Sequence, residues 1–425
     1  MITRGQAAQI LGDWSRVVEL SAQTLKPRSL RLRPSSDFAY GFVGVRRCGK
    51  SWAAIDTAMG WARDHLSGRI VYLNFEDPAF LGNDSFENID LLLSVDSEKN
   101  DDDCQTLILD EVQNIQGWER WVRKAVDSKR YHIIITGSSA KLLSSELATS
   151  LAGRCIEKNI WPLSYGEYLF FLGAKPSRYE QHLKFLNDYL QWGGFPAVVL
   201  QSDLQVKRDL LKQYTVDLLS KDVITRNAIR DRRALEQVTR YLATNLSSRH
   251  TYQAIRKAFG ITVDTAADYT RFLADAFYCF EVHRYHPNMK VQHRDPKKIY
   301  LIDVGISRVL TQSVSEDRGK LIENTVYLEL RRRDHEVSYY SGKQECDFIL
   351  TRNGTPFQAI QVCDSNLTDE VLRQREVGGL VEACKALKLK RGTIVTDQVE
   401  DVLTVEGVKV NLVPLHVFLL NHDQV

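Results

Sequence analysis

Eight residues, Gly44-Val45-Arg46-Arg47-Cys48-Gly49-Lys50-Ser51, read GxxxxGK[ST] without a substitution, and no other stretch constrains the chain as much. Glycines at both ends let the backbone turn its N–H groups inward around an oxyanion. A helix starting at Lys50 adds the partial positive charge of its N-terminus. The pattern is informative only between a strand and a helix. Both are expected here: Phe38 to Val43 reads as a short buried strand, and a helix runs from Lys50 to about Leu66, where Ser67-Gly68 ends it. Such a loop predicts ATP and Mg2+ as cofactors. Lys50 would reach the β and γ phosphates, Ser51 would ligate the metal, and Trp52 would lie beside the nucleotide. Arg46 and Arg47, inside the loop, either touch phosphate or brace it, and bracing is expected of at least one.

A second motif completes the chemistry. Leu107-Ile108-Leu109-Asp110-Glu111 is an apolar strand ending in two carboxylates. Asp110 would hold Mg2+ through water, and Glu111 would polarise the attacking water as general base. The pair favours hydrolysis over binding alone. His132 to Thr136 is the next strand, followed by Gly137-Ser138-Ser139. Ser138 would sense the γ-phosphate, or the hydroxyls here would cap a helix before Ala140. Arg154 would stabilise transition-state charge, in cis or from a neighbouring subunit, or it is a surface arginine. A role in trans would require a homo-oligomer. Glu76 and Asp77 would join the Mg2+ network, or Asp77 would cap the turn before Pro78.

Strands alternating with helices over this stretch predict a parallel sheet covered on both faces. At 425 residues the chain is long for one core, and 44% hydrophobic with 26% charged residues is enough for several. The formal charge of +2 excludes a global polyanion-binding signature, so any nucleic-acid surface must be local. Seven scattered cysteines without a CxxC pair argue against zinc and suit a reducing compartment. No run approaches a membrane span, and a cytoplasmic protein without a membrane partner is expected.

As a set, GVRRCGKS, YLNFEDP, LILDEVQNI, ITGSSAKLL, LAGR, PLSYGEYL, GGFP, KKIYLIDVGI, IENTVYLELRRR and ECDFIL resemble the prokaryotic AAA+-like P-loop ATPases. These are relatives of the archaeal ATPases and STAND NTPases that carry a C-terminal restriction-endonuclease-like domain. The resemblance covers nearly the whole chain, in order. It implies an α/β fold: a P-loop NTPase parallel sheet over 1–165, a helical lid over 166–232, a winged-helix module over 233–296, and a PD-(D/E)xK nuclease-like domain over 297–425. It also implies that Pro196, in GGFP, contacts adenine. Read from the residues alone, Gly-Gly-Phe-Pro is a helix breaker.

Two further expectations concern the distal part. Tyr252 to Phe259 and Val263 to Ala276, joined by Gly260-Ile261-Thr262, have helix-turn-helix spacing, and Tyr278 to Tyr285 would be a wing strand. Arg249, Arg256, Lys257, Arg284, Lys290, Arg294, Lys297 and Lys298 cluster nearby, so the module and the basic 284–298 region either contact DNA or form a structural module packing the ATPase against the C-terminal domain. Asp264 and Asp268 count against DNA. Glu323, Asp347 and Gln361 follow the order of the nuclease core, but Cys363 stands on the face where the pattern places lysine. A thiol cannot replace an ammonium. Unless Lys343, near the start of the preceding strand, substitutes from another position, a degenerate, non-cutting domain is expected.

Overall fold

The computed structural model describes residues 1–64, 69–99, 104–138, 151, 153–311, 318–365 and 370–421. They form two compact units, Met1–Ile160 and Trp161–Val425.

The first unit is built on a five-stranded parallel sheet: β1 (Ala39–Gly44), β2 (Arg69–Asn74), β3 (Cys104–Asp110), β4 (His132–Ser138) and β5 (Cys155–Asn159), in the order β2-β3-β4-β1-β5. Every residue of β1 is buried, as a strand inside a doubly covered sheet requires. Among the described residues, four helices accompany the sheet: α1 (Arg4–Thr24), α2 (Lys50–Asp64), α3 (Glu87–Lys99) and α4 (Trp118–Asp127). A reciprocal Thr3–Gln6 capping box starts α1. In α4, Trp118, Trp121, Val122, Ala125 and Val126 repeat at helical spacing and form the buried face.

The topology positions the site. β4 pairs with both β1 and β3. The glycine loop after β1 and the carboxylates after β3 therefore open at the same sheet edge, with the end of β4 between them.

The second unit begins with helices Tyr165–Leu172, Tyr179–Trp192, Pro196–Leu200 and Leu204–Asp217, the last running on into a wider π turn over Leu218–Ile224. Three helices, Arg232–Thr244, Tyr252–Phe259 and Val263–Asp275, accompany an antiparallel sheet of β6 (Arg249–His250), β7 (Cys279–Val282) and β8 (Lys297–Leu301), ordered β6-β8-β7. After helix Arg318–Arg332 comes a six-stranded mixed sheet: β9 (Glu336–Ser341), β10 (Glu345–Arg352), β11 (Thr355–Val362), β12 (Arg391–Thr396), β13 (Asp401–Val405) and β14 (Val408–Pro414). Its order is β13-β14-β12-β11-β10-β9. Helix Glu370–Ala386 supplies Leu380, Val381 and Cys384 to a core shared with Cys346, Ile349, Ile394 and Val410. No helix among the described residues is long and apolar enough to cross a membrane.

Candidate functional site: a phosphate loop with paired carboxylates

Gly44 leaves β1 at φ +154°, Arg47 has φ 70° and Gly49 has φ 96°. A Cβ on Gly44 would lie 2.2 Å from the carbonyl oxygen of Ile160. Only glycine fits, because the chain after β5 crosses directly behind the loop, where Ile160 N–H also donates to Val43 O at 2.7 Å. Gly44→Ala is expected to destabilise the first unit by about 2–4 kcal/mol, as overpacking against backbone does. A lowered urea midpoint, with nucleotide binding lost in parallel, would show it. An unchanged midpoint would contradict this close packing.

The loop is braced from several sides. The Cys48 thiol is fully buried and donates to Ile160 O at 3.0 Å, and burial pushes its pKa up. Arg28, from the connector before β1, donates to Cys48 O at 3.1 Å, and its own N–H donates to Asp56 on α2 at 2.9 Å. Arg46 pairs with Glu76 at 2.9 Å. Lys50 is buried, with Nζ 3.1 Å from Gly44 O and 3.3 Å from Val45 O, so its ammonium lies across the loop mouth. Trp52 is 52% exposed, two residues into α2.

Asp110 and Glu111 face this mouth in different ways. Asp110 is 2% exposed. Tyr72 O–H on β2 donates to it at 2.5 Å, Thr136 O–H on β4 donates to its other oxygen, and the Ser51 hydroxyl also bonds it. Burial raises the pKa of this carboxyl, and the hydroxyls hold it back. Glu111 is buried with φ 50°, a left-handed conformation costing a non-glycine residue about 1–2 kcal/mol. Its N–H donates to Thr136 Oγ1 at 3.2 Å, and Gln113 donates to its carboxylate. Ser51 and Asp110 are hard oxygen donors already in mutual contact, a set that suits Mg2+.

A family model described as AAA domain matches residues 37–169, and one described as Domain of unknown function (DUF8612) matches residues 183–317. An uncharacterized protein of Methanocaldococcus jannaschii is 32% identical over 365 residues, covering 81% of this chain and 78% of that protein. The chain belongs to the same family as that protein, and its residues 37–169 are an AAA domain. An uncharacterized protein of Haemophilus influenzae is 31% identical over 333 residues, 75% of this chain and 80% of that protein. Among solved structures, the Aeropyrum pernix Orc1 protein in complex with DNA is similar over 74% of this chain and 93% of that chain, at 10% identity and a TM-score of 0.31. A likeness that loose says nothing of function. The amino-terminal unit is an AAA-type P-loop ATPase domain.

Around this AAA site the other expected residues are placed unevenly. Glu76 is engaged by Arg46, and Asp77 accepts Ala79 N–H at 3.0 Å and Trp14 Nε1–H at 3.2 Å, so of its two readings the capping one matches the geometry. Arg154 lies in the turn before β5, where its carbonyl accepts Ala39 N–H at 2.8 Å at the opening of β1, and it pairs with Asp127 at 2.7 Å; this is the sheet edge opposite the glycine loop, so the expectation that it acts in cis is corrected. Ser138 closes β4, but its side chain, Ser139 and Ala140 lie outside the described residues. Pro196 opens helix Pro196–Leu200 in the second unit. The turn before it is clamped by a residue the sequence reading passed over. Asp303 accepts Gly194 N–H at 2.7 Å and Gly305 N–H at 2.8 Å, and a Cβ on Gly193 would lie 1.8 Å from Asp303 Oδ1. Tyr72, Thr136 and Arg28 were passed over as well. Only Thr136, a buried polar residue in the run His132-Ile133-Ile134-Ile135-Thr136, carried a signal.

The basic cluster is smaller than its sequence suggests. Arg284 pairs with Asp295 at 3.0 Å, and Arg249 with Glu345 at 3.2 Å. Lys297 reaches the Tyr252 hydroxyl at 3.1 Å and Glu281 at 3.8 Å. Lys298 points the opposite way, as strand alternation requires, and is buried among Glu323, Glu345 and Asp347. Arg256, Lys257, Lys290 and Arg294 stay exposed.

In the carboxyl-terminal sheet, Glu323, Glu345, Asp347, Gln361, Cys363 and Glu376 line a cavity of about 680 Å³. The Cys363 thiol meets Ser365 Oγ at 3.1 Å and its pKa is raised by burial. Lys343 is exposed on the rim, its N–H donating to Glu382 at 2.8 Å. Lys343 is thus at the cavity, whereas among the described residues the ammonium in contact with these carboxylates is that of Lys298 on β8.

Proposed function

We propose that this protein hydrolyses ATP at the AAA site and uses the bound state of the nucleotide as a switch or motor acting on DNA. The observation that carries the reading is the convergence of Lys50, Ser51, Asp110 and Glu111 on one loop mouth at the sheet edge. Lys50 binds the β and γ phosphates, and the backbone of residues 44–51 cradles them. Ser51 and Asp110 would hold Mg2+, which when bound neutralises phosphate charge. Glu111 accepts a proton from the attacking water, and Ser138 serves the γ-phosphate; Arg154, beside the start of β1, would act only at the site of a neighbouring subunit. Pro196 would contact the adenine.

The DNA partner is read onto a winged-helix-like module. Helices Tyr252–Phe259 and Val263–Asp275 are joined by Gly260 at φ 70° and followed by the β7–β8 pair. Four exposed cations, Arg256, Lys257, Lys290 and Arg294, are the contacts expected, and Asp268 is neutralised by Arg271 at 2.8 Å. If all four neutralise phosphates, log K should fall against log salt with a slope of about −3 to −4. A slope near zero would remove this module from the DNA surface.

The segment 297–425 is read as a nuclease-like fold that does not cut. ATP turnover with and without single- and double-stranded DNA, across salt, tests the whole reading. Stimulation by DNA supports it. DNA affinity that changes with ATP without stimulated turnover would favour a regulatory signalling module instead. Mg2+-dependent DNA cleavage would make the protein an ATP-controlled nuclease.

A further inference from the structure

β8 projects alternate side chains to opposite sides, and the side chain of Lys298 is 3% exposed. Its Nζ lies 2.9 Å from Glu323, 2.7 Å from Glu345 and 2.9 Å from Asp347. Its ammonium donates to Glu323 and Asp347 and stands in ion-pair contact with Glu345. Burial disfavours its charge, but Asp347 and Glu323 together hold it well above the usual lysine range.

The carboxylates are committed in turn. Asp347 accepts Val362 N–H at 3.0 Å on its second oxygen, and Glu323 accepts Tyr300 O–H at 2.7 Å. The three acids line the cavity, whereas Lys298 stands behind them and does not. A lysine acting on a substrate in the cavity would need a free donor reaching into it. Lys298, behind the acids, does not reach it. Glu345 is partly exposed and also pairs with Arg249, but Asp347 and Glu323 are largely buried, and buried carboxylates without a cation are strongly disfavoured, so Lys298 meets a need that a divalent metal would otherwise meet.

We infer that Lys298 is the resident cation of this carboxylate cluster, held in place of a divalent metal, so that Glu323, Glu345 and Asp347 are closed to Mg2+ and Mn2+ while it is present. The cluster is then a metal-free joint. It ties the three-stranded sheet to helix Arg318–Arg332 and β10, beside backbone bonds from Tyr285 N–H to Tyr339 O (2.7 Å) and from Tyr339 N–H to His283 O (3.1 Å). This rests on the nuclease-like, non-cutting reading of the segment and is independent of the ATPase reading.

Mn2+ bound per full-length chain, counted by electron paramagnetic resonance without nucleotide, tests it. Wild type and Asp347→Asn are expected to bind equal amounts. Lys298→Met should gain one Mn2+ per chain, and Lys298→Met/Asp347→Asn should lose it again. The inference is overturned if wild type holds one Mn2+ more than Asp347→Asn, or if folded Lys298→Met gains none. It also falls if wild type cuts DNA with Mn2+ and Lys298→Met does not. Should Lys298→Met fail to fold, the comparison of wild type with Asp347→Asn decides alone. ATP turnover of the same preparations reports on the AAA site separately, because loss of turnover leaves the Mn2+ counts unchanged.

Discussion

Glu111→Gln is expected to bind ATP normally and to slow its hydrolysis by about 10²- to 10⁴-fold, the usual contribution of a positioned general base. Glutamine keeps the size of the side chain. The N–H bond from residue 111 to Thr136 belongs to the backbone and survives the change. So does the left-handed φ of 50° that sets the residue off the end of β3. The substitution therefore removes basicity and little else. Single-turnover kinetics with labelled ATP should show nucleotide retained and unhydrolysed on the variant. Turnover at the wild-type rate would remove Glu111 as the base and leave Asp110, already engaged by Tyr72, Thr136 and Ser51, as the carboxylate to examine.

Lys50→Ala should weaken ATP binding by roughly 100-fold or more, since charge-assisted hydrogen bonds to two phosphates are lost together. The ammonium also bonds Gly44 O and Val45 O, so part of the loss could come from a loosened loop. Lys50→Met separates the two causes. It restores most of the buried stem without charge, so thermal stability should recover while affinity does not. Titration of a fluorescent ATP analogue, read beside a thermal melt, checks this. An affinity that recovers with methionine would assign Lys50 to loop packing rather than to phosphate.

Elements with strong local patterns were legible. The apolar runs of β1 to β4 and the helix after the glycine loop fall within two or three residues of their expected positions. β5 was not read, because Cys155-Ile156-Glu157-Lys158-Asn159 is an edge strand largely turned to solvent and lacks an apolar run. β13 and β14 were also missed; β13 is another edge strand, with Val402 56% exposed.

The sequence by itself determined the phosphate loop and the carboxylates that serve it. Their chemistry depends on residues adjacent in the chain, and glycine, lysine and serine have little freedom to do anything else at that spacing. Tertiary structure decided what the rest of the charges do. Tyr72 and Thr136 reach Asp110 only because β2, β3 and β4 are neighbours. Lys298, one of eight basic residues in an apparent surface cluster, is drawn inward by acids 25 to 49 residues away in sequence. Sequence spacing reports which charges are near along the chain. Burial and cross-element pairing decide which remain available to a partner, and both are properties of the folded chain.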